Sequence, residues 1–247
     1  MAKEGKYIYC IIQTRDSRNF GPIGIGNRDD VVSTVSYQDL SAVISSTPMN
    51  RYVINRENMT AHETVIETVM KDHTVLPVRF CTIAASTEDI RTLLMRRYSE
   101  LKGLLRDMDN KVEMGIKVLW KDLSSIYQEL MDENKNLRQL KAKAEKSNDQ
   151  NLGIELGKAV KKATEAKKVD EAWEIIRHFK RSAIEYRENN LSGDSMVLNA
   201  AFLIDRAREK EFDFLMDDLD QDQGDRYHFK YVGPIPPFNF VNLVVEW

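Results

Sequence analysis

The chain has 247 residues, of which 42% are hydrophobic and 30% charged, and its formal net charge is −3. This is the composition of an ordinary globular protein, with a length that suits one large domain or two small ones. The small net charge gives no sign of the basic surface that nucleic acids or anionic membranes select, and no apolar run reaches the roughly 20 residues of a transmembrane helix.

The N-terminal residues and the two cysteines both indicate a reducing compartment. The opening Met-Ala-Lys-Glu-Gly-Lys leads straight into a predicted strand and lacks the apolar core of a signal peptide, so we expect a cytosolic protein. Cys10 and Cys81 both fall in predicted strands, where free cysteines are usually small core residues. A disulfide is the alternative, but the sequence cannot supply the close Cα approach that it needs.

The first strands are indicated by continuous or closely spaced apolar residues. Lys6 to Ile12 is apolar almost throughout, as expected of a central strand. Val31 to Tyr37 and Leu40 to Ser46 follow as two short strands with only Gln38 and Asp39 between them, a spacing typical of a hairpin.

The glycines between these strands raise the question of a nucleotide-binding loop. Gly24-Ile25-Gly26 has a Gly-x-Gly spacing, but no Lys-Ser/Thr pair and no helical pattern follow it directly. We therefore interpret residues 13–30 as a polar loop in which Gly21, Gly24 and Gly26 serve turns.

Residues 61 to 83 predict the last turns of an amphipathic helix, a turn and a buried strand. Asn50 to Met59 is a polar lead-in, and Thr60 with Glu63 has the spacing of a capping box at the helix start. In the strand, alternation predicts one face with Leu76, Val78 and Phe80 and another with Pro77, Arg79 and Cys81.

A second helix is expected after residue 83, capped by Ser86 or Thr87 and carrying one apolar stripe as far as Met108. The first unit thus has the order β-β-β-α-β-α and ends near Asn110.

The next segment opens with a strand and continues into a long charged helical region. Lys111 to Trp120 alternates between apolar and polar residues, which predicts a strand with one face on a core. Residues 122–190 are interpreted as three helices folded on themselves: a heptad pattern that ends at the break Ser147–Asn151, then Leu152–Lys168, then Asp170–Arg187. Their lysines alternate with glutamates and are expected on a solvated face.

Three more elements follow the insertion. Ser195 to Ile204 predicts a buried strand, Asp205 to Leu219 a helix, and Arg226 to Val232 a strand. The acidic residues from Asp217 to Asp225 lack the frame of a calcium loop and are interpreted as solvated.

These patterns predict an α+β fold with two domains and a tail. Residues 1–110 form an N-terminal α+β domain, and residues 111–233 form a ferredoxin-like domain with a three-helix insertion at 122–190. Residues 234–247 form a proline-rich tail whose apolar residues would be a liability if exposed, so we expect it to pack between the domains or on a partner.

Two segments carry a resemblance to a known family. Ala-His-x-x-Val-Ile-Glu at 61–67 with Val-Leu-Pro-Val-Arg-Phe at 75–80, and Tyr-Val-Gly-Pro-x-Pro-Pro-Phe-Asn-Phe-Val at 231–241, resemble the gas vesicle protein F/L family, as does the opening Tyr-Ile-Tyr-Cys-Ile. One departure is Cys81, since the position after Phe80 is often glycine in such proteins. The resemblance covers the whole chain, although the helical insertion is generic.

The resemblance implies a non-enzymatic accessory or minor structural protein of gas vesicles, which are gas-filled, protein-walled organelles. The implied partners are the small hydrophobic shell protein and other accessory proteins, with no nucleic acid and no lipid membrane. The implied role is to support assembly or shell stability, with the gas-facing side of the wall as one location. No cofactor, metal or catalytic residue is implied.

The candidate structural or interaction residues lie in the same two segments. Those of the first segment are His62, Glu63, Glu67, Pro77, Arg79 and Phe80. Those of the second are Gly233, Pro234, Pro236, Pro237, Phe238, Phe240 and Trp247. Arg79 is expected to form a partly buried ion pair with Glu63 or Glu67, which would orient helix against strand.

Two rival classes of function receive less support. A metal site is disfavoured because His62 and His73 are too far apart for the i, i+4 spacing of a helical zinc pair. An RNA-binding ferredoxin-like module is the alternative, since Tyr7 and Tyr9 on a central strand would stack bases if they were exposed. The companion basic-aromatic strand motif is absent, and the chain is acidic.

Overall fold

The structure is a computed structural model that describes residues 4–49, 51–147 and 149–245. The chain divides into two compact units, Met1–Glu113 with Pro234–Trp247 and Met114–Gly233. The described residues form a mixed α/β fold with two antiparallel sheets and seven α-helices.

The first sheet is built around its N-terminal strand. Its strands are β1 (Glu4–Gln13), β2 (Asn19–Gly21), β3 (Val32–Tyr37), β4 (Leu40–Pro48), β5 (Val75–Pro77) and β6 (Ile83–Ala84). The order is β2-β3-β4-β1-β5, and β6 also pairs with β1. The predicted hairpin is confirmed as β3 and β4, joined at Gln38, whose φ is +54°.

Strand β1 is buried on both faces, as its continuous apolar sequence predicts. On one face Tyr7, Tyr9 and Ile12 pack against α1 (Arg56–Met70). On the other face Ile8 and Ile11 pack in a second core with α2 (Thr87–Arg96), α3 (Tyr98–Asp107) and the end of the chain.

The start of α1 corrects the capping-box prediction. The N-cap is Asn55, whose Oδ1 accepts a hydrogen bond from the Asn58 amide at 2.9 Å. Thr60 therefore lies inside the helix, and the supposed lead-in supplies its first turn; Asn50 lies outside the described residues.

The strand after α1 is shorter than predicted. It ends at Pro77, and Val78 makes an isolated parallel bridge with Leu243. Phe80 and Cys81 form a turn, so Phe80 packs in the core under α1 while Leu76 and Val78 lie in the other core. The expectation that these three side chains share one face is wrong, as is the placement of Cys81 in a strand.

The helix predicted to reach Met108 is confirmed at its start and wrong in its continuity. Ser86 is the N-cap, with its Oγ accepting from the Asp89 amide at 3.1 Å. The helix breaks at Arg97, which separates α2 from α3.

The second unit contains the four-stranded sheet and the inserted helices. Its strands are β7 (Lys111–Trp120), β8 (Glu185–Glu188), β9 (Met196–Asp205) and β10 (Tyr227–Ile235), in the order β10-β7-β9-β8. Its helices are α4 (Leu123–Glu133), α5 (Lys135–Lys146), α6 (Gln150–Phe179) and α7 (Glu209–Gln223).

The insertion has three helices with boundaries that differ from the predicted ones. The heptad segment breaks at Asn134, whose side chain caps α5. The next two predicted helices are the single helix α6, and residues 185–188 are strand β8. Near the C-terminus, α7 continues to Gln223, so the acidic residues from Asp217 to Asp222 lie in a helix, and only Asp225 of the predicted exit follows it.

Candidate functional site

The family-like segment at 61–83 is organised around the buried His62. This side chain is 3% exposed, and its Nδ1 lies 3.1 Å from the Tyr7 hydroxyl. The ring also hydrogen-bonds the Val78 backbone. Burial lowers the pKa of His62 to about 4. The ring is therefore neutral and joins α1 to β1 and to the chain after β5.

Two buried tyrosines extend this contact across the first unit. The Tyr7 hydroxyl accepts from the Cys81 amide at 2.8 Å. The Tyr9 hydroxyl accepts from the Ile25 amide at 2.8 Å and lies 2.9 Å from Ser45 Oγ, and burial raises the pKa of Tyr9 to about 12. Both rings are 0% exposed, so neither is available to stack a base, and the premise of the RNA-binding alternative is wrong.

Cys81 occupies a conformation that favours glycine. Its φ is +65°, in the left-handed region, where a Cβ is strained. The turn is held because the Cys81 amide donates to Tyr7 and its Sγ accepts from the Tyr52 amide at 3.3 Å. This geometry gives a physical reason for glycine after Phe80.

The charged candidates of the segment do not pair as predicted. Arg79 Nη2 donates to Asn242 Oδ1 at 3.1 Å, and the ion pairs of the described residues do not join Arg79 to Glu63 or Glu67. Burial, followed by repulsion from Glu67, raises the pKa of Glu63. Pro77 is buried at the end of β5. Arg79 thus contacts the C-terminal tail.

The tail is part of the first unit. Asn239 donates from its amide and from Nδ2 to the two carboxylate oxygens of Glu113, at 2.8 and 2.6 Å. Glu113 is only 2% exposed, although its position in an alternating strand predicts a polar face. The two hydrogen bonds satisfy a carboxylate that would be costly to bury alone.

Apolar tail residues complete the core with α2 and α3. Val241 and Leu243 are 7% and 2% exposed, and Phe240 is also buried. Pro236 and Pro237 are buried, and Phe238 packs in the core under α1. Pro234 lies in β10 after Gly233, whose φ of +150° favours glycine; Trp247 lies outside the described residues.

A charged network in the second unit went unnoticed in the sequence. Arg226 forms a bidentate ion pair with Glu129 of α4 at 2.7 and 2.8 Å, and a further pair with Glu171 of α6 at 2.6 Å. The hydrogen bonds from Arg226 hold the pKa of Glu129 down at about 2. Lys167 Nζ lies 3.1 Å from Glu129.

The same network ties the inserted helices to the sheet. Glu171 Oε2 accepts from Trp120 Nε1 at 2.6 Å and from the Tyr227 hydroxyl at 2.7 Å. Trp120 ends β7 and Tyr227 begins β10, so one carboxylate of α6 joins two strands. Its partners lie 51 and 56 residues away in sequence, and no spacing rule connects them.

An open groove of about 250 Å³ lies beside α6. Apolar side chains dominate its lining, including Val169, Trp173 and Leu191, which are 68%, 46% and 46% exposed. The groove brings together no set of hydrogen-bonded catalytic groups.

The described residues contain no cluster of three or more His, Cys, Asp or Glu side chains arranged to hold a metal ion. Among those residues, no helix has the length and apolar character needed to cross a membrane.

Comparison with known proteins gives the family. The model of the gas vesicle synthesis protein GvpL/GvpF family matches residues 5–242. Gas vesicle protein F of Microcystis aeruginosa is 27% identical over 245 residues, covering 97% of this chain and 99% of the relative. Gas vesicle protein F1 of Halobacterium salinarum is 25% identical, covering 97% and 94%.

Solved structures agree with this assignment. The crystal structure of GvpF from Microcystis aeruginosa superposes with a TM-score of 0.81 at 26% identity, covering 97% of this chain and 99% of that one. The crystal structure of GvpF from Anabaena sp. shares the fold with a TM-score of 0.82 at 22% identity, covering 98% and 100%. The family consists of gas vesicle structural and accessory proteins. The chain belongs to the GvpL/GvpF family of gas vesicle synthesis proteins.

Proposed function

We propose that this chain is an accessory or minor structural protein that binds the small hydrophobic shell protein of gas vesicles. In this proposal it supports assembly or shell stability, acts at the gas-facing surface of the wall and works beside other accessory proteins. The observation that carries the proposal is the family match over residues 5–242.

A shell subunit with apolar surface needs that surface covered until the subunit joins a growing wall. Val53 and Ile54, which precede the N-cap of α1, are 71% and 79% exposed and offer an apolar contact for it. The tail offers less apolar surface to the shell protein, because its side chains Phe240, Val241 and Leu243 are buried within the first unit.

We also propose that the two units are separate domains. The second unit has the element order β-α-β-β-α-β with α4, α5 and α6 in place of the first helix, which supports a ferredoxin-like domain with an insertion. The first unit, closed by the tail, would be the separate α+β domain.

The role proposed here is non-catalytic. Among the groups with strongly displaced pKa values in the first unit, His62, Tyr7, Tyr9 and Cys10 are packed in a core, where a substrate has no access, and Asp39 is held by hydrogen bonds from Lys102 and Tyr98. Glu129 in the second unit is saturated by cations that hold the helices.

A binding assay tests the proposal. The full chain is immobilised and incubated with the proteins of purified vesicles, and the retained proteins are identified by mass spectrometry. We expect the wild-type chain to retain the shell protein. Val53→Ser/Ile54→Ser should bind it at least about tenfold more weakly, because two exposed apolar side chains are lost. Val169→Ser/Ile184→Ser, which removes two exposed apolar side chains of the second unit, is the matched control and should retain it normally. A wild-type chain that retains no shell protein would refute the proposal.

The location at the wall has its own test. Vesicles are washed, treated with protease either intact or after collapse under pressure, and blotted for the chain. A chain on the gas-facing surface is protected in intact vesicles and is cleaved after collapse. Cleavage in intact vesicles, or loss of the chain on washing, would contradict that location.

A further inference from the structure

The second unit carries two helix surfaces of opposite charge. Helix α7 has seven acidic residues and one lysine, a formal charge of −6. Residues 135–168, which span α5 and the part of α6 that ends at Lys168, have ten basic and four acidic residues, a formal charge of +6. A chain with a net charge of only −3 thus concentrates opposite charges on different helices.

Each surface carries one exposed apolar side chain beside its charges. On α7, Phe214 is 70% exposed, and Asp217 and Asp218 lie three and four residues further on the same side of the helix. We call Phe214, Asp217 and Asp218 the acidic α7 face. The opposite stripe of α7, which includes Phe212 and Met216, is buried.

The first half of α6 repeats this arrangement with the opposite charge. Ile154 is 53% exposed and shares one side of the helix with Lys158, Lys161 and Lys162, all exposed. We call these four residues the basic α6 face. The ion pairs of the described residues include none of these three lysines and neither Asp217 nor Asp218, unlike the charges around Arg226.

The two faces do not neutralise each other within one chain. Helix α7 packs on the C-terminal half of α6, where His178 Nε2 lies 3.1 Å from the Leu215 carbonyl oxygen. Ile154 lies about 36 Å earlier along α6 by the rise per residue of a helix. The acidic α7 face points away from α6, since its buried stripe makes that contact.

We propose that the acidic α7 face of one copy binds the basic α6 face of a second copy of this chain. Charge complementarity selects and orients the two helices, and Phe214 with Ile154 supplies the apolar centre that interfaces require. The two faces differ, so the contact is head-to-tail and leaves one face of each type free. Repetition therefore builds a ring or an open chain of subunits. This inference goes beyond the proposed function and stands independently of shell-protein binding.

Sedimentation velocity of the full chain tests the association. Salt screens exposed charges, so we expect the mean mass to rise with protein concentration at about 0.05 M salt and to return to that of the monomer at about 0.5 M salt. Phe214→Ser should weaken the association at least about tenfold, and an unchanged melting temperature should accompany this exposed substitution. A wild-type chain that stays monomeric at low salt at every concentration would overturn the proposal.

Charge reversal provides the sharper test. Asp217→Lys/Asp218→Lys gives a chain with two basic faces, and Lys158→Glu/Lys161→Glu/Lys162→Glu gives one with two acidic faces. Each variant alone should be monomeric at low salt, and an equal mixture of the two should associate because complementary faces are then present. Failure of the mixture to associate, or self-association of either variant alone, counts against the contact.

A control variant and a competing partner complete the design. Asp72→Lys/Asp107→Lys makes the same charge change on exposed residues of the first unit and should leave association unchanged. If Asp217→Lys/Asp218→Lys abolishes retention of another vesicle protein while the wild-type chain is monomeric, the acidic α7 face belongs to a different basic partner and self-association is wrong.

Discussion

Cys81 shows how one backbone angle limits what a sequence pattern predicts. Alternation of apolar residues continues through Phe80 and Cys81 and predicts a strand, but the chain turns there with φ of +65° at Cys81. The alternation shows which residues are apolar. It does not show that β5 pairs with only three residues of β1, Cys10 to Ile12, before the chain turns. The resemblance to proteins with glycine at this position was the better signal.

The left-handed conformation at residue 81 predicts an inverted order of stability between two small substitutions. Cys81→Gly and Cys81→Ala both remove the sulfur, but only alanine keeps a Cβ that the conformation strains, so glycine should be more stable by about 1 kcal/mol. Urea denaturation of the two variants measures the difference. Outside this region of φ, alanine is usually more stable than glycine. If Cys81→Ala were the more stable variant, the left-handed φ at residue 81 would be wrong.

The buried His62 predicts a loss of stability in mild acid. Its pKa falls from 6.5 to about 4 on folding, so between these values the unfolded chain binds a proton that the folded chain does not. The free energy of unfolding is therefore unaffected by this group above pH 6.5. It decreases as the pH falls from 6.5 towards 4, by roughly 2–4 kcal/mol in total for a shift of this size. Urea denaturation across this range measures the slope.

His62→Gln is the control for that slope. The amide does not titrate, so the dependence on pH should flatten, although His73, whose pKa is also lowered by burial, leaves a smaller slope. An unchanged slope in His62→Gln would assign the acid sensitivity to other groups.

At the level of elements, sequence periodicity located most strands and missed the contacts that hold the helices. Strands β3, β4, β7 and β9 follow the predicted segments closely because closely spaced apolar residues mark them in the sequence and are buried in the structure. The breaks at Asn134 and the continuity of α6 were missed, since capping by one asparagine and packing of α6 on β9 decide them. The network around Arg226 joins residues up to 97 positions apart, and that separation carries no signal in a single sequence.

Removing Arg226 should loosen the inserted helices. Arg226→Ala leaves the carboxylates of Glu129 and Glu171 without their principal partner, and we expect a loss of about 1–3 kcal/mol, given that the group is one-third exposed. Chemical denaturation gives the loss, and a shift in tryptophan emission reports Trp120. Arg177→Ala breaks an exposed ion pair with Glu174 in the same unit and should cost less than about 0.5 kcal/mol. Equal losses in both variants would show that the network adds no special stability.

The contact between Asn239 and Glu113 should contribute comparably to the stability of the first unit. Asn239→Ala removes the Nδ2 donor from a carboxylate that is 2% exposed, and we expect a loss of about 1–3 kcal/mol. Asn242→Ala, which removes the acceptor of exposed Arg79, is the control and should change stability by less than about 0.5 kcal/mol. Thermal unfolding separates the two, and a neutral Asn239→Ala would mean that Glu113 is held by other groups.

At the scale of the whole molecule, composition and element order predicted the mixed α/β class, and the family resemblance predicted the family. The contacts of the tail could not be predicted from the sequence, because its buried Val241 and Leu243 pack against residues more than 130 positions earlier. Removing residues 234–247 takes these side chains and the partner of Glu113 from the first unit, at about 1.5–3 kcal/mol for each buried apolar side chain. Hydrogen exchange should show loss of protection in β1 and α2, with β9 still protected; unchanged protection in β1 would remove the tail from the core.

The first unit is interrupted in the chain by the entire second unit, and this order has a consequence for synthesis. A ribosome finishes residues 4–113 long before it makes Asn239, Val241 and Leu243, so the nascent first unit lacks two hydrogen bonds to Glu113 and exposes part of its apolar core while some 120 further residues emerge. Chaperones and proteases recognise such unfinished surfaces. Only a polypeptide translated as far as Leu243 can hide them, so the core of the first unit is completed after the whole second unit has been synthesised.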